Sequence, residues 1–188
     1  MKIKLNPMFE EARGQLGNLV FREVRGKTFA GRKPSGGGEP TVDQAAHRER
    51  FKQAAAYGKS ALADPAVRAL YEEAAKSKNM PVFALTMADY FNAPTIDSLD
   101  LSGYTGQVHE PINVIARDDF GVASVSVSIA DQTGHVIDAG NAVETAAGSG
   151  HWVYTAGATI ATGITVTVTA IATDRPGGTA VKTANKTI

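Results

Sequence analysis

The residues able to do chemistry are few and scattered. The four histidines His47, His109, His135 and His151 lack the close spacing that lets one helix or strand present a metal pair, so they are not read as metal ligands. Cysteine is absent, which removes thiolate zinc sites, iron–sulfur clusters, cysteine nucleophiles and disulfides. Ser149 lies in Gly148-Ser149-Gly150-His151, but a serine two residues from a histidine on a glycine loop has no triad geometry, and a flexible loop is expected instead. A nucleophile elbow, a P-loop, a dinucleotide fingerprint and a metalloprotease helix each require fixed spacings that do not occur. The expectation is a protein that is not an enzyme and needs no cofactor.

Two groups remain. Asp97, Asp118, Asp119 and Asp174 fall near strand ends, where carboxylates converging at one pole would offer hard oxygen ligands to calcium. Asp-Asp-x-Gly is also ordinary turn chemistry, with the carboxylate accepting from nearby amides, and that reading is preferred to a metal site. The second group is basic. Arg22, Arg25, Lys27, Arg32 and Lys33 surround Leu19, Phe21 and Phe29, a mixture suited either to a phosphate backbone with stacked bases or to a neighbouring protein subunit. Because the phenylalanines alternate with charges as in a half-buried hairpin, subunit contact is preferred to nucleic acid. Asn185-Lys186-Thr187 matches a glycosylation sequon, read as chance.

The formal charge of zero conceals a gradient. Residues 1–33 carry a net charge of +5, residues 34–95 balance, and residues 96–188 carry −5. Such a layout fits a polyanion partner for the arm or contact between copies. No stretch approaches 18 apolar residues, and Glu10 and Glu11 interrupt the region where a secretory signal would have its apolar run. The expectation is a cytoplasmic product without a signal peptide or membrane partner.

The elements that must position these residues change character along the chain. Leu19-Val20-Phe21 and Thr28-Phe29-Ala30 flank Arg25-Gly26 as a hairpin, and Gly14 and Gly17 break any helix begun at Phe9. Pro34 to Pro40, with three consecutive glycines, is a connector. Thr41 and Gln44 have capping-box spacing before a helix whose apolar face would be Phe51, Ala55 and Leu62. Asp64-Pro65 starts a second helix with a stripe of Val67, Leu70, Tyr71, Ala74 and Ala75, and Met80-Pro81 opens a third that ends before Pro94. From Thr95 the period becomes two, as in Val125-Ser-Val127-Ser-Ile129 and Ile164-Thr-Val166-Thr-Val168. Strands are expected at 97–104, 111–116, 122–130, 135–138, 151–155, 164–173 and 179–187, about seven in roughly ninety residues, the pattern of an immunoglobulin-like sandwich with Trp152 as central core aromatic. The fold class expected is multidomain α+β: a basic hairpin arm and connector over 1–40, a helical domain over 41–94 and an Ig-like β-sandwich over 95–188.

The segment Leu16 to Pro34, with Pro40-Thr41-Val-Asp-Gln44, Arg48, Phe51, Arg68 and Tyr71, resembles a loose group of mostly uncharacterised bacterial and phage-encoded proteins. Their shared pattern is a Gly/Arg hairpin, then Pro-Thr-x-x-Gln-x-x-x-Arg, then a helical pair. The C-terminal half, with Ala116-Arg-Asp118 and Ala172-Thr-Asp174 closing strands, resembles bacterial and phage Ig-like modules. The resemblance implies a structural protein of a self-assembling particle, a phage-like virion or tube component that contacts copies of itself or other particle subunits. An adhesive or carbohydrate-binding module, with Trp152 or Tyr154 exposed in a groove, is the first alternative. A nucleic-acid-binding protein using the arm is the second.

Overall fold

The computed structural model describes residues 14–24, 27–34 and 39–188. Arg25 and Gly26 of the expected hairpin turn, the three glycines of the connector, and residues 1–13 with Phe9, Glu10 and Glu11 lie outside the described residues. The chain divides into two compact units, Met1–Arg48 and Glu49–Ile188. The described residues form three helices and three antiparallel sheets.

The first unit holds a sheet of β1 (Gly14–Leu16), β2 (Leu19–Val24) and β3 (Lys27–Arg32), in that spatial order. The hairpin is therefore joined by a strand the glycines had concealed. Gly17, at φ 57°, and Asn18 form the two-residue turn into β2, a backbone conformation that glycine adopts without a Cβ clash. The amide of Lys33 donates to the carbonyl of Asn18 at 2.7 Å, tying the end of β3 back to that turn.

Helix α1 (Val42–Ala63) begins with the expected capping box. The Gln44 amide donates to Thr41 Oγ1 at 3.3 Å, and the Thr41 amide donates to Gln44 Oε1 at 3.2 Å. Its buried face in the second unit is Ala54, Gly58 and Ala61, whereas Phe51 is exposed, so the apolar face predicted from Phe51, Ala55 and Leu62 is displaced by one position. Close approach explains the shift, because a Cβ on Gly58 would come within 2.6 Å of Thr86 Oγ1 and 3.0 Å of the Phe83 ring. Only the smallest side chains fit against α3 (Val82–Phe91). Asp64 caps α2 (Pro65–Ser77), its Oδ1 accepting from the amides of Ala66 at 2.8 Å and Val67 at 3.3 Å, with Pro65 at the first helical position. Tyr71 and Ala75 are buried on α2, while Leu70 of the predicted stripe is exposed.

Eight strands follow: β4 (Thr95–Asp100), β5 (Pro111–Arg117), β6 (Val122–Ala130), β7 (Val136–Asn141), β8 (Val143–Glu144), β9 (His151–Thr155), β10 (Thr165–Asp174) and β11 (Thr179–Thr187). They form two four-stranded sheets, β11-β10-β6-β7 and β4-β5-β9-β8. The alternation read from the sequence delivers one apolar face to each. Ile112, Val114 and Ala116 of β5 and Trp152 and Tyr154 of β9 share a single core with Val125, Val127 and Ile129 of β6 and Val166, Val168, Ala170 and Ala172 of β10. The sheets are thus sandwich-like. On one flank, Lys182 and Lys186 of β11 donate to the carbonyls of Asp97 and Leu101, giving partners to groups at and beside edge strand β4. Gly140 on β7 lies under the Tyr154 ring, 3.1 Å from where a Cβ would stand.

Trp152 and Tyr154 are 8% and 4% exposed. Emptying such an aromatic site costs about 3–5 kcal/mol. Trp152→Ala is expected to lower unfolding free energy in urea by that amount, and the single tryptophan of the parent should emit in the blue-shifted range of a buried indole.

Candidate functional site

The pairing of the small sheet sets out the arm residues. Phe21 stands opposite Ala30 and Gly14, Leu19 opposite Arg32 and Leu16, and Arg22 opposite Phe29. Directly paired residues share a face of an antiparallel sheet. One face therefore carries Leu16, Leu19, Phe21 and Arg32, and the other carries Arg22 and Phe29. The two phenylalanines, expected to line one half-buried side, stand on opposite faces. Leu16 is 72% exposed, Leu19 43% and Phe29 36%, while Phe21 is half-buried and Arg22, Lys27, Arg32 and Lys33 are exposed. Arg25 lies outside the described residues.

The four aspartates singled out for calcium are engaged in separate local bonds. Asp97 pairs with Arg117 at 3.0 Å. Asp118 Oδ2 accepts from the amides of Phe120 and Gly121, each at 2.9 Å. The Asp119 carboxylate accepts from the Asn92 side-chain amide, and its carbonyl accepts from Lys78 Nζ. Asp174 Oδ1 accepts from the amides of Gly177, at 2.7 Å, and Gly178. The turn requires glycine at 178, since a Cβ there would collide with the Asp174 carboxylate. Among the described residues no group of three or more histidine, aspartate or glutamate side chains is arranged to hold a metal ion.

The histidines lie on separate elements: His47 on α1, His109 before β5, His135 before β7 and His151 on β9. The Ser149 loop, expected to be flexible, is held from beneath. Glu144 accepts from the amides of Gly148 at 3.1 Å and Gly150 at 2.9 Å, and Ser149 Oγ accepts from the His151 amide at 3.2 Å. Gly150 sits at φ 71°, where a Cβ would press against the Ala116 carbonyl at 2.7 Å. Among the described residues no helix is long and apolar enough to cross a membrane.

A cluster that sequence reasoning missed lies in the second unit, where the helices meet the turns at the ends of the sheets. Phe120, in the turn after β5, stacks on Tyr71 of α2 with ring centroids 4.0 Å apart and packs into the helical core of Ala61, Tyr71, Ala75 and Leu85. Tyr71 donates to Asp89 Oδ2 of α3, and its hydroxyl is 2.7 Å from that of Tyr57 on α1. Asp89 is completely buried and Asp174 nearly so. Desolvation pushes the Asp89 carboxyl up to about 6, against the Tyr71 hydrogen bond that favours the anion, and the nearby Asp118 and Asp174 charges add to the rise. Burial also raises Tyr57, Tyr71 and Asp174 above their ordinary ranges. The available signal was a lone carboxylate closing the run Val82-Phe-Ala-Leu-Thr-Met-Ala-Asp89, in which Thr86 is the one other polar residue.

No family model matches the chain, and no curated protein matches it. Among solved structures, the crystal structure of CopC from Methylosinus trichosporium OB3b is similar to 50% of this chain and 91% of its own, at 18% identity and a TM-score of 0.38. A likeness of that size carries neither fold nor function across.

Tyr71→Phe removes the donor to buried Asp89 and the partner of Tyr57 while keeping the Phe120 stack. Leaving a buried polar group unsatisfied costs about 1–3 kcal/mol, and urea unfolding at neutral pH should show a loss of that order with little change in the slope of the transition.

Proposed function

We propose that this chain is a non-enzymatic structural subunit of a self-assembling particle of phage type, in which residues 1–40 form an arm that binds neighbouring subunits. In this reading residues 41–94 are the helical domain, and residues 95–188 are an immunoglobulin-like module facing outward. The observation that carries it is the small sheet, whose apolar side chains Leu16, Leu19 and Phe29 are divided between two exposed faces and bordered by Arg22, Lys27, Arg32 and Lys33. A three-stranded sheet with apolar groups on both sides gains stability when a partner covers them. The acidic balance of residues 96–188 supplies a complementary charge on another copy. Burial of Trp152 and Tyr154 argues against the sugar-binding alternative, which needs an aromatic platform open to solvent.

The test compares intact protein with a chain lacking residues 1–33 and with Phe21→Asp, by light scattering across a salt series. Charges screened within about 8 Å at physiological ionic strength should leave an assembly that weakens with salt yet persists, and both variants should remain monomeric. An intact protein that stays monomeric alone but binds DNA with a steep salt slope lost on truncation would move the arm to nucleic-acid binding instead.

A further inference from the structure

We infer that a cleft in the second unit, where α2 meets the turns at the ends of the sheets, takes residues 1–13 of another copy, with Leu5, Met8 and Phe9 on its apolar lining and Glu10 and Glu11 at its arginines. The inference rests on the arm-contact reading above and names where on the neighbour the arm is held. The cleft has a volume of about 1060 Å³, room for several side chains of an extended segment. From α2 come Leu70, Glu73, Ala74 and Ser77, residues three and four apart that a helix brings onto one side. Phe120 and Val122 line it from the turn after β5 and the start of β6, and Ala147 and Ser149 from the loop between β8 and β9. Leu70, expected in the core, is 47% exposed and lines this cleft instead.

The lining is held in place before anything binds. Asp118 accepts from the amides of Phe120 and Gly121, and Glu144 from those of Gly148 and Gly150, so two of the carboxylates around the cleft are spent on their own loops. A groove whose loops are already fixed loses little entropy on binding. The remaining charges have a clear division. The turns at the sheet ends contribute Arg117, paired with Asp97 at 3.0 Å, and Arg175, exposed and in no ion pair among the described residues. The helix contributes Glu73, also exposed and in no ion pair among the described residues.

One segment of the chain has the complementary make-up. Residues 1–11 read Met-Lys-Ile-Lys-Leu-Asn-Pro-Met-Phe-Glu-Glu, with cations at Lys2 and Lys4, apolar groups at Leu5, Met8 and Phe9, and anions at Glu10 and Glu11. Cation, apolar group and anion follow one another in the segment, and the cleft offers an anion on the helix, an apolar lining and cations on the turns. Residues 1–33 hold three acids, and Glu10 and Glu11 are two of them, so this is the part of the arm whose sign suits an uncommitted guanidinium. Arg22, Lys27, Arg32 and Lys33 have the wrong sign for Arg175.

The experiment uses the full chain with Phe9→p-benzoylphenylalanine, a side chain that bonds to neighbouring C–H groups under near-ultraviolet light. Protein labelled with nitrogen-15 is mixed with unlabelled protein, irradiated and digested. Cross-links should fall within residues 70–77, 116–123 or 144–150 and should include mixed-isotope pairs. Leu70→Glu, a change at an exposed position, should lower their yield about tenfold through the lost apolar contact, with the urea midpoint unchanged. Glu10→Lys with Glu11→Lys should also lower it about tenfold by setting like charges together, and adding Arg175→Glu should recover the yield. Cross-links confined to other segments, links always of one isotope, or an unchanged yield in Leu70→Glu overturn the inference. Light scattering separates this failure from that of the arm-contact reading. If Leu70→Glu and Arg175→Glu chains assemble as the parent does while a chain lacking residues 1–33 stays monomeric, the arm binds elsewhere and the cleft assignment alone falls. If the intact protein is itself monomeric, the arm-contact reading falls and the cleft assignment with it.

Discussion

A β-strand whose side chains alternate apolar and hydroxyl must turn one face away from water, and that constraint organises both compact units differently. In the second unit two such faces meet. Val125, Val127 and Ile129 on one sheet and Ile112, Val114 and Trp152 on the other close a core without a covalent staple. In the first unit three strands carry apolar residues in both directions, and Leu16, Leu19 and Phe29 are left exposed. The first arrangement satisfies the constraint within the chain. The second supplies the physical motive for the proposed contact with another copy.

The helices obey a different rule, close approach. Ala54, Gly58 and Ala61 make a face without bulk, and Thr86 and Phe83 of α3 occupy the room that a larger residue at 58 would need. Their connection to the sheets is made by the turn after β5, through Phe120 and the Asp118-Asp119 pair. The cost of that seat is a buried carboxylate at Asp89, and Tyr71 answers only one of its two oxygens. A network satisfied on one side is where conditions can change the balance of a packed interface.

Periodicity made much of this legible. The strands at 122–130, 151–155 and 179–187 have their expected bounds, and the Thr41–Gln44 box and the Asp64-Pro65 start appear as their spacing implied. β1 escaped because Gly14 and Gly17 read as breakers, although Gly17 is what lets the chain turn into β2. The two-residue β8 is too short to leave a pattern. Helix faces were partly misplaced: Phe51 is exposed because Ala54, Gly58 and Ala61 make the buried face of α1, and Leu70 is exposed while its neighbour Tyr71 and Ala75 are buried. The Asp89 cluster depends on residues brought together from α1, α2, α3 and two turns, and no spacing along the chain encodes that meeting. The split of Phe21 and Phe29 between faces depends on strand register, which alternation along the chain does not fix.

Contact between copies through the arm is the central claim, and zero-length cross-linking of carboxyls to amines tests it at the residues concerned. Protein labelled with nitrogen-15 is mixed with unlabelled protein, allowed to exchange, cross-linked and digested. The account predicts mixed-isotope peptides joining Lys27 or Lys33 to carboxylates within residues 96–188. Links from these lysines that are always of one isotope would place every arm contact inside a single chain and contradict it.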